Sequence, residues 1–251
     1  SVVWNINRKS ADLKMYEFGT VYSRTSGNSD PVAGYHEETH LSVLLTGRSS
    51  AENWNSKDRI ADWFDIKGYI QSFFIKLGIG QSKQDKGPEI EQLAFSNLTF
   101  REGIRFSAGN KVIGYAGMLT AEVLKAFDIR QEIMYAELNW SAILALIPVK
   151  ETQYRELPKF PEVRRDLALL LDGGISFGEI EKLAFQTERK LLRKVGLFDV
   201  YEGEKIEEGK KSYAMSFILQ DEGKTLTDKE IDKSMARLIN AFESSLNARV
   251  R

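Results

Sequence analysis

VRRDLALLLDGGISFGE, residues 163–179, is the stretch on which the fold turns. VRRDLALLL is a near-continuous apolar run, the pattern of a strand inside a sheet, and Asp172-Gly173-Gly174 supply a turn to end it. Ser176, with Glu179 three residues on, is a capping box that opens a helix. Ile180, Leu183, Ala184, Thr187, Leu191 and Val195 then recur on one helical face, so the spacing predicts a helix reaching 195. Downstream, LFDVYEG and YAMSFILQ read as two strands joined by the polar turn EKIEEGKKS. Thr227 and Glu230 repeat the capping box, and Ile231, Met235, Leu238, Ile239, Phe242 and Leu246 form a second helical stripe. A last short strand is expected in LNARVR. The order is βαββαβ, a ferredoxin-like split βαβ arrangement.

Upstream, Pro148, Pro158 and Pro161 punctuate IPVKETQYRELPKFPEV, which has no sustained period. Proline fixes φ, removes a donor and pushes its predecessor to extended geometry, so this is a linker and a domain boundary is expected near 148–157. The domains are then 1–150 and 151–251.

In a βαββαβ fold both helices cover one face of the sheet. Along YAMSFILQ, period two sends Tyr213, Met215, Phe217 and Leu219 to the helices and Ala214, Ser216, Ile218 and Gln220 to the open face. Small side chains there would let a flat base approach the sheet. A face that is only solvated, or packed on another domain, fits the alternation equally well.

Residues 1–147 read as an α+β domain rich in antiparallel strands, at DLKMYEFGTVYS, HLSVLLTGR, LAFSNLTF, IRFSA, KVIGYAG and MYAELNW, with a short helix at TAEVLKAF. A longer helix falls within SKDRIADWFDIKGYIQSFFIKLGI, with Ile60, Phe64, Tyr69, Phe73 and Leu77 as its stripe, and GIGQSKQDKGPE is a polar loop. The fold class is thus α+β throughout.

Composition narrows the function. The chain has 251 residues, 42% of them hydrophobic, so a sizeable core can form. It contains no cysteine, which removes disulfides, thiolate nucleophiles and thiolate metal ligands and fits a reducing compartment. The net charge is −1, so bulk electrostatics give no attraction to nucleic acid and any RNA contact must be local. No apolar run approaches the roughly 20 residues of a membrane span, and SVVWNINRKS is neither an initiator Met nor a signal sequence, so a cytoplasmic fragment without a membrane partner is expected.

The sharpest chemical signal is HEETH, residues 36–40, which matches the zincin pattern H-E-x-x-H. His36 and His40 are the only histidines, so a carboxylate would have to be the third ligand. The pattern also adjoins the β-rich LSVLLTG, which favours a loop entering an edge strand. No phosphate-cradling glycine loop and no G-x-S-x-G occurs. Glu37-Glu38 and Glu207-Glu208 would point apart on a strand. Arg189, Lys190, Arg193 and Lys194 are expected as a cationic face on the first helix of the second domain, either a phosphate track or an ordinary solvated face.

The span PKFPEVRRDLALLLD, LFDVYEG, KKSYAMSFILQDEGKTLTDKEI and LNARVR closely resembles the ferredoxin-fold anticodon-binding domain that ends the beta chain of bacterial phenylalanine–tRNA ligases. NINRKSADLKMYEFGTVY, LLTGRSSAENWNSKDRIADWFDIKGYIQSFF and IGYAGMLTAEVLKAFDI are similar to the class II synthetase-like, pseudo-catalytic core of the same beta chain. The resemblance implies anticodon binding to tRNA-Phe by 151–251 and a supporting core that packs on the alpha subunit, in an assembly of two alpha and two beta chains. Chemistry would belong to the alpha chain, so no catalytic or metal-binding residue and no cofactor is expected in this fragment, with ATP and magnesium used by the full enzyme. The Arg-then-Glu and late Glu-Arg segments of active class II enzymes are absent, and REGIRF, 101–106, replaces an expected histidine-proline-glycine stretch. The upstream RNA-binding, editing and magnesium-associated domains of a full beta chain are not visible.

By position in the matching motifs, the candidate tRNA contacts are Phe160, Arg164 and Arg165 near the first strand, Ser216 and Gln220 on the small-residue face, and Tyr201 and Lys211 flanking the hairpin. Plainer roles compete: Phe160 packing the linker, Arg165 pairing with Asp166 or a helix carboxylate, Tyr201 in the core. Two rival functions stand beside this one, a zinc hydrolase built on HEETH and a ferredoxin-like module that binds a small regulator.

Overall fold

The computed structural model describes residues 1–24, 34–50, 52–55, 57–79, 91–148, 156–203 and 206–251. Most of the polar loop expected at 78–89 and of the linker at 148–157 lies outside the described residues. The chain divides into two compact units, Ser1–Glu151 and Thr152–Arg251.

The first unit contains, in order, α1 (Val2–Ile6), β1 (Leu13–Arg24), β2 (Tyr35–Thr46), α2 (Trp63–Lys76), β3 (Glu91–Phe95), β4 (Phe100–Ala108), β5 (Lys111–Leu119), α3 (Ala121–Ala126), β6 (Ile133–Asn139) and α4 (Trp140–Leu146). The strands make one antiparallel sheet in the order β1-β2-β6-β5-β4-β3. Alternation along β2 sends Leu41 and Leu45 to the face where Ile66, Ile70 and Phe74 of α2 and Ile143 of α4 pack with Phe106, Ala136 and Leu138. The short α1 and α4 lack a periodic signal long enough to be read from sequence.

The stripe expected on the long helix is out of phase. Ile60, Phe64 and Tyr69 are 68%, 74% and 47% exposed, while Ile66, Ile70 and Phe74 are buried and Phe73 and Leu77 pack partly against them. The helix starts late because Asp62 is its N-cap: its carboxylate accepts from the Phe64 and Asp65 amides, and Asp65 accepts from the Asp62 amide in return. Ile60 therefore lies outside the helix, in an isolated bridge to Arg48.

Asp65 also accepts both Arg59 guanidinium nitrogens at 2.7 Å. These hydrogen bonds from Arg59, together with the amide of Asp62, hold its carboxyl at about 2 against burial, which pushes the other way. A carboxylate whose folded pKa is depressed contributes stability above its unfolded value and loses it as pH falls through the folded one. Asp65→Asn is expected to destabilise the first unit by about 1 kcal/mol by removing the charge that pairs with Arg59. The gap between the denaturation midpoints of variant and parent should close as pH drops from about 4 to about 2. A gap that stays constant over that window would remove the Arg59–Asp65 pair as its cause.

The second unit contains β7 (Val163–Asp172), α5 (Phe177–Thr187), β8 (Leu192–Tyr201), β9 (Lys210–Leu219), α6 (Asp228–Leu246) and β10 (Arg249–Val250). All neighbours are antiparallel in the order β10-β7-β9-β8. Both predicted capping boxes form, Ser176 with Glu179 and Thr227 with Glu230. Ile180 and Ala184 of α5 and Ile231, Leu238 and Phe242 of α6 pack on Leu169, Leu171, Met215, Phe217 and Leu219.

The first helix of this unit ends at Thr187, eight residues short of the expected 195. Glu188 stops it. Its side chain is 3% exposed, and it accepts from the backbone amides of Lys190 at 3.3 Å and Leu191 at 3.2 Å and from Arg237 of α6. Capturing those two amides turns the chain out of the helix and into β8, where Leu192 and Val195 are buried as strand residues. The expected cationic helix face does not exist: Arg189 and Lys190 lie in the turn, and Arg193 and Lys194 lie on β8.

Among the described residues no helix is long and apolar enough to cross a membrane.

Candidate nucleic-acid interface

Register decides which side chains share the face of the second sheet away from α5 and α6. Cross-strand partners point to the same side. Val163, Arg165, Leu167, Leu169 and Leu171 of β7 pair with Leu219, Phe217, Met215, Tyr213 and Lys211 of β9, and this is the helix side. Arg164, Asp166, Ala168 and Leu170 pair with Ile218, Ser216, Ala214 and Ser212 on the other side. On β8, Lys194, Gly196, Asp199 and Tyr201 pair with Ile218, Ser216, Ala214 and Ser212. The register shift between Leu197 and Asp199 inserts Phe198 as an extra residue. Phe198 projects on the open side, because Arg164 reaches across β9 to it, with the guanidinium carbon 5.4 Å from the ring centroid.

The floor of this face is made of small groups. Ala168, Ala214, Ser216 and Gly196 lie in its centre, and a Cβ on Gly196 would come within 2.7 Å of the Ser216 hydroxyl oxygen. A side chain at 196 would therefore displace that hydroxyl or cover it. Above the floor stand Phe198, 56% exposed, and Tyr201, 38% exposed. Arg164 donates from Nε to one Asp166 oxygen at 2.7 Å and from Nη2 to the other at 3.2 Å. These hydrogen bonds raise its pKa above the ordinary arginine value and hold the guanidinium plane in one orientation.

Seven residues were expected to form this site, and the structure gathers three of them on the open face: Arg164, Ser216 and Tyr201. The other four are placed elsewhere. Gln220 follows the end of β9, is 5% exposed, and donates from Nε2 to the Phe160 carbonyl at 2.8 Å, so it ties down the incoming linker. Phe160 is half-buried at that anchor. Lys211 is 8% exposed on the helix side, with its ammonium 4.7 Å from the Tyr213 ring centroid. Arg165 also lies on the helix side, donating to the Arg164 carbonyl at 3.2 Å and pairing with Asp228, a helix carboxylate, at 3.5 Å. Phe198 was missed because a bulge shifts the alternation by one and leaves no mark in the apolar pattern, and Gly196 because the helix was expected to reach 195 where the chain is already in β8.

HEETH has no zincin geometry. His36 and His40 lie on β2, paired with Ser23 and Gly19 of β1, so four residues of strand separate them by about 13 Å at roughly 3.3 Å per residue. A helix would place them one turn apart. His40 instead lies 2.8 Å from Glu137 and 3.5 Å from Glu38. Hydrogen bonds, first from Asn139 and then from His40, hold the Glu38 carboxyl below its ordinary range. The zinc-hydrolase alternative loses its basis here.

The family model described as "Ferredoxin-fold anticodon binding domain" matches residues 158–251, and the one described as "Phenylalanyl tRNA synthetase beta chain CLM domain" matches residues 1–140. The phenylalanine–tRNA ligase beta subunit of Bacteroides thetaiotaomicron is 43% identical over 258 aligned residues, which cover 100% of this chain and 30% of that one. The beta subunit of Bacteroides fragilis is 42% identical over 254 residues, again 100% of this chain and 30% of that one. The chain thus spans 30% of the length of the curated relatives it matches. Among solved structures, the crystal structure of pyrrolysyl-tRNA synthetase from Desulfitobacterium hafniense is similar over 57% of this chain and 45% of its own, with a TM-score of 0.38 and 14% identity.

Proposed function

Since the chain belongs to the phenylalanyl-tRNA synthetase beta-chain family, we propose that its second unit binds the anticodon of tRNA-Phe on the open face of the β10-β7-β9-β8 sheet. The carrying observation is the bare central strip of Ala168, Ala214, Ser216 and Gly196, flanked by Phe198 and Tyr201. Single-stranded RNA is read by stacking unpaired bases on aromatic rings and hydrogen-bonding their edges, with cations on the backbone. A small floor admits bases, the rings stack them, and Ser216 offers an edge contact. Arg164 and Lys194 offer cations to the RNA backbone, but Asp166 and Asp199 on the same face offset their charge, so binding relies on stacking and edge contacts rather than on a basic patch.

The two units of the chain correspond to two jobs. The first, within 1–150, is a pseudo-catalytic core that supports the alpha subunit, and the second, within 151–251, binds tRNA. The assembled enzyme contains two alpha and two beta chains and acts in the cytoplasm. ATP and magnesium belong to that assembly, at the alpha chain's active site; no residue here is assigned to either.

Titration of the chain with tRNA-Phe and with an anticodon-swapped transcript tests the reading. Affinity for tRNA-Phe is expected to exceed that for the swapped RNA. Ala214→Glu, which puts a carboxylate in the middle of the strip, should weaken binding by at least about tenfold, since like charge facing a phosphate chain costs several kcal/mol. Equal weak binding of both RNAs, untouched by the substitution, would refute the assignment. Stabilisation of the fold by a free amino acid in place of tRNA would favour the regulatory-module alternative.

A further inference from the structure

The outer face of α2 lacks the charge that a solvated helix face carries. At about 100° per residue, Phe64, Gly68, Gln71, Ser72 and Ile75 share an arc of about 100° turned away from Ile66, Ile70 and Phe74, and none of the five is ionisable. Phe64 is 74% exposed and Ile75 52%. Gly68 stands between them in mid-helix, where only proline is a less favourable residue. Among the described residues nothing lies within 4 Å of a Cβ built on it, so no contact inside the chain requires a glycine there. Open space above a helical glycine suits the approach of another backbone: packed helix axes lie about 8–10 Å apart according to the side chains at the crossing, and glycine gives the short end.

We propose that this face is a self-association surface, on which α2 of a second copy of the chain packs antiparallel across a two-fold axis. A two-fold contact is isologous: where residue i meets residue j, residue j meets residue i. Centring the crossing between Tyr69 and Ile70 sets Phe64 against Ile75 of the second copy and Gly68 against its Gln71, and symmetry repeats both pairs. The charges fit the same register. The N-terminal end carries Asp62 and Asp65, paired with Arg59, the C-terminal turn carries Lys76, and the two acids and the lysine lie toward one flank of the helix. Antiparallel pairing brings Lys76 to within about 1.5 Å, one residue rise along the axis, of the level of Asp62 in the second copy, twice per dimer. Parallel pairing would set like charge on like. Lys67, on the other flank, is displaced by about 7.5 Å along the axis from its own copy, where both ammonium groups remain in water. A partner of different sequence would need no such self-match, which is why a second copy is the occupant. One helix pair buries less than the roughly 1,200 Å² of a standard interface, so association is weak, with a dissociation constant on the order of 10 µM. The surface belongs to the first unit and stands whether or not the second unit binds tRNA.

Sedimentation equilibrium of the whole chain, at concentrations spanning that value by at least about tenfold on either side, should show a monomer–dimer equilibrium. Phe64→Lys alters an exposed side chain twice per dimer and should weaken association about hundredfold, with the melting curve of the parent. Lys76→Glu should weaken it about tenfold at low salt and reverse the salt dependence, added salt loosening the parent dimer and tightening that of the variant. Gly68→Leu separates a close crossing from general stickiness. Leucine is the better helix former and should raise the melting temperature of the first unit, yet it should loosen the dimer about tenfold by forcing the helices apart. Tighter association of Gly68→Leu, a dimer indifferent to Phe64→Lys, or a chain that stays monomeric throughout would overturn the proposal. Capture of the phenylalanine–tRNA ligase alpha subunit by a chain that does not self-associate, abolished by Phe64→Lys, would assign the face to that partner and overturn it equally.

Discussion

Glu188→Ala should lower the melting temperature of the second unit by about 15 °C. The carboxylate is 3% exposed and does three things at once: it accepts the amides of Lys190 and Leu191 and pairs with Arg237. Alanine leaves two amides without their acceptor at a part-buried junction, and removing one partner of a buried pair typically costs 3–5 kcal/mol. The lower end applies, since the Arg237 side chain is 50% exposed and the released cation can be hydrated. About 3 kcal/mol in a domain of this size corresponds to roughly 4–8 °C per kcal/mol. Glu188→Gln retains an acceptor for the amides and should lose about half as much. A melting curve for Glu188→Ala that overlays the parent would show that the junction is held by the flanking apolar residues alone.

The second large effect is expected at Gly117, in the first unit. Gly117 of β5 faces Gly103 of β4 across the ladder, next to the register shift between Phe100 and Glu102. A Cβ on Gly117 would fall 2.3 Å from the Glu102 carbonyl oxygen and 2.8 Å from the Phe100 ring, and one on Gly103 would fall 2.8 Å from the Ala116 carbonyl oxygen. The obstacles are largely backbone, so rotamer changes cannot relieve them. The rings of Phe95 and Phe100 lie against the two glycines, with Phe100 5% exposed. Gly117→Ala should therefore separate β4 from β5 locally and destabilise the unit by about 3 kcal/mol, the upper range for overpacking. Gly19, where an added Cβ meets nothing within 4 Å, is the control and should tolerate alanine. Equal denaturation midpoints for the two variants would show that the ladder relaxes around a methyl group.

Local signals carried most of the second unit. The strand at 163–171, both capping boxes, the hairpin and the short last strand were legible because each is specified by neighbours in sequence. The end of the first helix was not. Leu191 and Val195 suit helical spacing from Leu183 and Thr187, yet they serve a strand, and what decides between the two is a buried acid, a role that composition assigns to almost no glutamate. The misphased stripe on α2 has a similar origin: aromatic residues at Phe64 and Tyr69 imitate a buried face, while the capping acid Asp62 fixes where the helix starts and so which positions point inward. On the open sheet face, period two located Ser216 and Ala214 correctly, but Lys211 turns to the helix side with Tyr213, two residues on, and Gln220 has a role set by a neighbour 60 residues away, Phe160's carbonyl. Phe198 was hidden by a one-residue bulge, which reverses inside and outside without changing composition.

The self-contained start of α6 bears on the order in which this unit assembles. Its 19 residues exceed the length at which isolated helices become more than marginal, and Thr227 and Glu230 satisfy its first amides without help from the sheet. β7 and β9, by contrast, can pair only after the whole intervening segment has closed, at an entropic cost that local structure does not share. The denatured ensemble should thus retain fluctuating helical turns over 228–246, and productive collapse consists of docking the two central strands onto a scaffold already partly wound.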